Sequence, residues 1–516
     1  MNRLVRSFAT VGGWTMASRI MGFVRDIAMA AVIGTGPLAQ AFFVAFRLPN
    51  MFRRFFAEGA FNMAFIPIFS KKLEGDGPET ARVFGVEALS ALTAALILLT
   101  LLAQAAMPWL VYALASGFDG EKFDMAVAFS RILFPYILFI SLAALFSGVL
   151  NAFGKFAAAA AAPVLLNVIW VGALAAVWLA GADPGAVLPW AITAAGVAQL
   201  ALVWWACRKL DMGFLPRRPR LTPDVKRLII VGIPAAFAGG VMQINLLVGT
   251  QVASYFDGAV AWLWMADRIY QLPLGVVGVA IGVVLLPELS RRFRAEDRAG
   301  TAEAMNRAGE FCLLLTLPSA IALIVIPELI VTALFERGAF TAADSRATAT
   351  ALAVYAIGLP TFVLQKVLQP AFFAREDTRT PLRYAVVSMI VNVVIAVGFA
   401  PVIGFMAAAW GTTLAGLVNL LLLWRGVQRL DPTLRLDTRL AHRLPRIGAA
   451  ALGMGAVVLA TAHFALVVLP GWEPLILLAV VPLGGVSYAL LGNWLGAFSI
   501  AEIRASIRRG NREDNT

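Results

Sequence analysis

The sequence predicts an all-α integral membrane protein of 14 transmembrane helices: two six-helix pseudo-repeat lobes followed by two further helices. Three observations carry that expectation. Apolar runs of about 20 residues, the length that crosses a bilayer as a helix, recur along the whole chain. The segments between them alternate between strongly basic and nearly uncharged. A pattern of residues in the first half also returns, in the same order, in the second.

Composition sets the class. The chain has 516 residues, 60% hydrophobic and 14% charged, with a mean hydropathy of +0.82. Soluble domains are roughly a quarter charged. The apolar spans fall at about 8–33, 38–68, 83–114, 125–150, 157–181, 186–207, 228–256, 260–289, 308–335, 347–373, 383–404, 406–424, 447–469 and 474–498. Several exceed the minimum for crossing, so tilts or kinks are expected.

The first span opens with basic residues before an apolar stretch, as an export signal does. Arg19 interrupts that stretch and no small-residue cleavage site follows, so it reads as a retained helix. Arg19 and Asp26, seven residues apart, share a helical face, whereas Arg25 lies about 120° from Arg19. A bend at Gly22 would help both arginines reach one cavity.

The second span contains RLPNMFRRFFAEGAFNMAFIP (47–67). On a helix Arg47, Arg54 and Glu58 share one face, with Arg53 about 100° round. A cation at bilayer depth costs on the order of 3 kcal/mol or more, so it faces a protein interior or a water-filled cavity. Glu58 can pair with Arg54, which leaves positive charge over. A cavity holding uncancelled arginines suits an anion.

Further along, Gln243 and Asn245 are uncharged polar residues deep in the seventh span. The eighth brings Asp267, Arg268 and Gln271, then Pro273, Gly275, Gly278, Gly282 and Pro287, which permit bending. The last two spans are almost devoid of ionisable groups. Their glycines (448, 453, 455, 484 and 485) allow close packing or leave a groove. An apolar appendage beside a cationic cavity suggests a lipid tail held near a charged head, and peripheral packing accounts for it equally well.

Of 42 lysines and arginines, 31 lie in the N-terminus, every second loop and the C-terminus, and three (Lys122, Arg337, Arg346) in the other loops. By the positive-inside rule both termini and the basic loops are cytoplasmic. This distribution also explains the net charge of +12 without nucleic acid as a partner. The repeat aligns QLALVWWACRKLD (199–211) with NLLLLWRGVQRLD (419–431), and PIFSKK (67–72) with PELSRR (287–292). Arg47 falls over Arg268 with one gap, and Asn167 near Asn392. The expected domains are a six-helix lobe over 1–210, a basic cytoplasmic connector over 211–227 and a second lobe over 228–430. Residues 431–500 hold the last two helices, and 501–516 form a cytoplasmic tail. Repeats enclosing a midplane site are a transporter architecture.

The expected clamp for the anion is Arg19, Arg25, Arg53, Arg54 and Arg268, with Asp26, Gln40, Arg47, Glu58, Asp267, Gln271 and Asn245 in support. Arginine's planar fork makes bidentate bonds to phosphate and stays protonated when poorly solvated. Single arginines could instead pair with Asp26, Glu58 or Asp267. No nucleophile–base pair, metal-ligand cluster or phosphate loop appears, so the chain does not read as an enzyme. Cys207 and Cys312 are too few for a disulfide framework. No cofactor is expected; a coupling ion, the membrane potential or the substrate's own gradient would supply the work.

The stretches SRIMGFVRD (18–26), AFFVAFRLPNMFRRFFAEGAFNMAFIPIFS (41–70) and ADRIYQLPLGVVGVAIGVVLLPELS (266–290) resemble the MurJ (MviN) family of lipid II flippases. That family sits in the superfamily that also holds multidrug and polysaccharide-lipid exporters. The resemblance implies flipping of a disaccharide-pentapeptide, linked by pyrophosphate to a polyprenyl tail, across the bacterial inner membrane. It assigns cavity roles to arginines matching Arg19, Arg25, Arg53, Arg54 and Arg268, and a tail groove to the last two helices. It implies a monomer working beside other cell-wall proteins. The chain departs from the pattern at Gln40 and Gln271, where relatives carry acidic residues. At Gly249 some relatives place a sodium-binding Asp, so a sodium site here is in doubt. The alternatives are a flippase for another polyprenyl-pyrophosphate glycan, a drug exporter, a membrane glycosyltransferase, or a scaffold that binds lipid II without moving it. Cavity arginines disfavour export of cationic drugs, and the short uncharged loops disfavour a glycosyltransferase.

Overall fold

The computed structural model describes residues 2–53 and 60–499, apart from the side chains of 2–9, 60–63, 233–246, 276, 278–284, 286–287 and 293–294. The described residues form helices and connections, with no strand among them. In order the helices are α1 (Asn2–Ile33), α2 (Pro37–Arg53), α3 (Ala60–Gly75), α4 (Pro78–Ala105), α5 (Met107–Leu114) and α6 (Gly120–Leu133). Then come α7 (Tyr136–Ala152), α8 (Ala157–Ala180), α9 (Pro184–Arg208), α10 (Pro223–Ala253), α11 (Ala259–Arg294) and α12 (Arg298–Val325). The last are α13 (Pro327–Phe335), α14 (Ala342–Phe373), α15 (Arg379–Ile403), α16 (Met406–Leu430), α17 (Thr438–Val468) and α18 (Glu473–Trp494).

Among the described residues, ten helical stretches are long and apolar enough to cross a membrane. The expected spans differ from the helices in a regular way. Those at 83–114, 125–150 and 308–335 are each two helices, meeting at Ala106, at Phe134–Pro135 and at Ile326. Prolines explain the breaks: Pro108, Pro135 and Pro327 stand at the joints, and proline removes an N–H donor and clashes with the carbonyl four residues back. The span at 38–68 is α2 and α3, with residues 54–59 outside the described set. Gly22 makes no break, because α1 is one uninterrupted helix. The repeat reaches the element boundaries. The α4–α5 joint at Ala106 and the α12–α13 joint at Ile326 lie 220 positions apart (326 minus 106), as do Trp204 and Trp424.

The chain forms two compact units, one of residues 1–261 with 337–340 and the other of 262–336 with 341–516. The first unit therefore takes in α10, which packs against α3, α4 and α5. Within this unit α8 packs against α1 and α9, α7 against α9, and α2 against α6. Phe65 stacks on Phe69 and Phe84 at 5.3 and 5.6 Å between centroids. One polar network ties three helices inside this apolar interior. Tyr136 Oη donates to Gln199 Oε1 (3.0 Å), and Gln199 Nε2 donates to the Ala162 carbonyl (2.8 Å). The network satisfies groups that would otherwise be buried without partners.

In the second unit α14 packs against α12 and α16, and α15 against α16. Asn419, 220 positions after Gln199, has a matching role: its Nδ2 donates to Gln365 Oε1 (2.8 Å), and Gln365 Nε2 donates to the Gly416 carbonyl (2.8 Å). Helices α17 and α18 pack on each other, α17 on α12 and α18 on α13. Tyr488 Oη donates to the Leu314 carbonyl at 2.8 Å. Glycines mark these contacts. A Cβ on Gly453 would meet Leu491 at 2.9 Å, on Gly484 Val458 at 2.9 Å, and on Gly455 Ile321 at 2.5 Å. These three serve helix packing, whereas Gly448 and Gly485 face open space.

The entry to α17 is fixed by charge. Glu310 on α12 is buried and accepts from Arg443 Nη1 (2.6 Å), and it pairs with Arg307 and with Arg439 (3.4 Å). Arg307 also pairs with Asp437, whose side chain caps α17 by accepting from Leu440 N (2.7 Å). An N-cap carboxylate satisfies an orphan amide and complements the helix dipole.

Candidate functional site

Arg25 is the centre of the best-defined polar site among the described residues. It is 8% exposed on an apolar helix, and its neighbours supply what its charge requires. Nε and Nη2 donate to Asp26 Oδ1 at 3.0 and 2.7 Å, and Nη1 donates to Asn167 Oδ1 of α8 at 3.0 Å. The guanidinium carbon stands 4.5 Å from the centre of the Trp170 ring, a cation–π geometry. Asn167 is held in turn, since its Nδ2 donates to the Ser18 carbonyl at 3.0 Å. Trp170 Nε1 reaches Met29 Sδ at 3.2 Å, and its ring meets Phe42 and Phe46 edge-on at 5.7 and 4.9 Å.

The sequence explains this assembly in part. Residues i and i+1 of a helix diverge by about 100°, so Arg25 and Asp26 do not face one another by helical geometry alone. Arginine's long side chain makes the pair by turning back. Asn167 and Trp170, one turn apart on α8, then close over it from across the α1–α8 contact. Gly22 lies under Asn167, where a Cβ would sit 3.6 Å from Nδ2. Asp26 therefore pairs with Arg25, its neighbour in the chain.

The other expected residues fall in different surroundings. Arg19 is exposed. Arg53 is half-buried at the end of α2 and donates from Nε to Asn50 Oδ1 at 3.0 Å. Arg47 is half-buried on the same helix, and Gln40 is 1% exposed, with no hydrogen bond to its Oε1 among the described residues. Arg54 and Glu58 lie outside the described residues, as does the side chain of Asn245. In the second unit Arg268 is half-buried, its guanidinium carbon 4.5 Å from the Trp264 ring centre. One turn along, exposed Gln271 donates to Asp267. Among the described residues, each unit thus holds one clamp arginine against a tryptophan.

A family model described as lipid II flippase MurJ matches residues 29–478. The chain belongs to the MurJ family. It is 46% identical to the probable lipid II flippase MurJ of Rhizobium meliloti (strain 1021), over 98% of this chain and 97% of that protein. It is 38% identical to the lipid II flippase MurJ of Burkholderia cenocepacia, over 83% of this chain and 84% of the relative. Among solved structures it resembles a lipid II flippase MurJ in an inward closed conformation, with a TM-score of 0.79 at 24% identity, over 94% of this chain and 98% of the other. An inward-facing multidrug resistance MATE family transporter of the MOP superfamily gives 0.68 at 15% identity, over 81% and 96%. At these identities the structural likenesses establish the shared fold.

Sequence reasoning missed Asn167 and Trp170 as parts of the site. The available signal was an amide in the middle of an apolar helix with an indole three residues on. Gly249 faces open space on α10, and no three His, Cys, Asp or Glu side chains gather among the described residues.

Proposed function

We propose that this chain, as a MurJ family member, moves lipid II from the cytoplasmic to the periplasmic leaflet of the bacterial inner membrane, with arginines holding the pyrophosphate. The observation that carries the reading is the buried Arg25 cluster. Its guanidinium is fully oriented, and among the described residues Asp26 is its one carboxylate partner. A pyrophosphate brings more negative charge and more acceptor oxygens than Asp26 offers. Exchange of Asp26 for phosphate oxygens is thus a two-state event at a fixed arginine, of the kind an alternating-access carrier requires. Exposed Arg19 and half-buried Arg53 supply further cations on the same unit, and Arg268 supplies one on the other.

In this reading both termini are cytoplasmic, the chain acts as a monomer, and no ATP is consumed. The membrane potential or a coupling ion drives return of the empty carrier. The last two helices accompany the lipid tail. Arg→Lys variants at positions 19, 25, 53, 54 and 268, assayed for transport in proteoliposomes, test the clamp. Lysine keeps the charge and loses the fork, so a pyrophosphate site should lose most of its activity. Transport at the parent rate by all five lysine variants would overturn the proposal.

A further inference from the structure

The connector between α9 and α10 is irregular in conformation and firmly held. Residues 212–222 carry Arg217, Arg218 and Arg220, preceded by Pro216 and interrupted by Pro219. Phe214 is buried against Phe146 (5.3 Å) and seats in a notch over Gly85 of α4, where an added Cβ would come within 2.5 Å of its ring. Trp204 Nε1 donates to the Phe214 carbonyl (3.3 Å), Arg217 N donates to buried Ser90 Oγ (2.8 Å), and Thr222 Oγ1 donates to Glu87 Oε2 (2.8 Å). A segment needed only to mark topology requires basic residues, and none of these attachments. Prolines and side-chain anchors reduce the entropy that a mobile basic loop would lose on binding.

Between this segment and the first turns of α4 lies a cavity of about 770 Å³ within the first unit. Arg82, Arg217, Arg218 and Arg220 line it, against Glu79 and Glu87. Glu87 is already engaged by Thr222, and the closest Arg82–Glu79 approach is a long 3.9 Å. The three connector arginines make no ion pair with a carboxylate among the described residues. The rim is apolar: Val83 and Leu215 line it and are 53 and 66% exposed. Along α4, a candidate membrane span, exposed Ile97, Leu98, Leu101 and Leu102 continue the apolar surface.

We infer that this cavity is a binding site for the phosphate headgroup of an anionic membrane phospholipid. The arginines take the phosphate oxygens while Val83 and Leu215 lie against the upper acyl chains. Free phosphate would satisfy the arginines and leave the apolar rim without a use, which favours the lipid. The site stands on the outer surface of α4 and the connector, and involves none of the residues assigned to transport.

The test is native mass spectrometry of the full chain released from micelles doped with phosphatidylglycerol or, at the same level, phosphatidylcholine. The parent protein should retain phosphatidylglycerol preferentially. Arg217→Gln/Arg218→Gln/Arg220→Gln should lower that retention roughly tenfold or more. Phe214→Ala keeps every charge and unseats the connector, so it should also weaken retention, which a diffuse cationic surface would not feel. Arg379→Gln/Arg383→Gln/Arg429→Gln, exposed arginines of the second unit, should bind like the parent. Melting temperature and elution volume establish that each variant is folded. Undiminished retention by the connector triple variant would overturn the inference. So would equal loss in the second-unit variant, or displacement of the lipid by inorganic phosphate at equal concentration.

Discussion

Separating the ion pair of Arg25 from its work in transport is the sharpest perturbation the structure offers. The closest contact to Asp26 is 2.7 Å, with both side chains about nine-tenths buried. At an effective dielectric of about 20 that separation corresponds to about 6 kcal/mol of attraction. Desolvation costs several kcal/mol for each ion, so the pair nets close to zero while either charge alone is expensive. Arg25→Ala or Asp26→Ala should therefore destabilise the protein by about 3–5 kcal/mol. Arg25→Met/Asp26→Leu, which removes both charges at similar volume, should recover most of that loss. Transport should not recover, because methionine offers nothing to a pyrophosphate. The assay pairs thermal denaturation in detergent with flipping of labelled precursor in proteoliposomes. Parent-like transport by the double variant would show that Arg25 only packs α1 against α8. Single variants as stable as the parent would refute the energetics of the pair.

Other positions lead to further expectations. Glu310→Gln, leaving Arg307, Arg439 and Arg443 around an uncharged amide, should cost about 3 kcal/mol and expose the start of α17 to protease; unchanged protease resistance would contradict the hub. Tryptophan at Gly453 or Gly484 should overpack the α17–α18 contact, costing about 1–3 kcal/mol, whereas tryptophan at Gly448 or Gly485 should leave the melting temperature intact. A tail lying along the open face predicts lost transport in the latter pair. The Thr433 hydroxyl, 2.6 Å from Asp431 Oδ1, holds that carboxyl below the usual range, helped by the Thr433 amide. The stabilisation is complete above the unfolded carboxylate pKa and disappears as pH falls through the lowered folded value. Thr433→Val should therefore move acid-induced loss of structure to higher pH, read by circular dichroism; an unchanged midpoint would refute it.

Hydrophobic run length made the helices legible because a backbone in lipid must satisfy its own hydrogen bonds, which leaves helices as the solution for such runs. The repeat was legible for a related reason: Gln199 and Asn419 hold equivalent joints, and an amide inside an apolar helix stands out in sequence. The breaks at Ala106 and Ile326 could have been placed from Pro108 and Pro327, had run length not dominated the reading. Candidate cations were equally visible, since arginine in a membrane span is too costly to be incidental.

The partners of those cations were not legible. Helical phase gave only a face that Asp26 shares with Arg19; the side chain of Arg25 turned to its own neighbour, and α8 brought Asn167 and Trp170 from 142 and 145 positions away to close over it. The same holds for the connector, whose arginines read as topology signals until Phe214, Ser90 and Glu87 pinned them beside α4. The sequence by itself determined the all-helical membrane class of the protein, its internal repeat and the identity of its unusual charges, because each follows from local solvation cost and period. Which side chain neutralises which, and which glycine is a packing surface, was decided only by the tertiary structure. Those outcomes depend on short-range contacts of a few ångströms between segments whose approach no local pattern encodes.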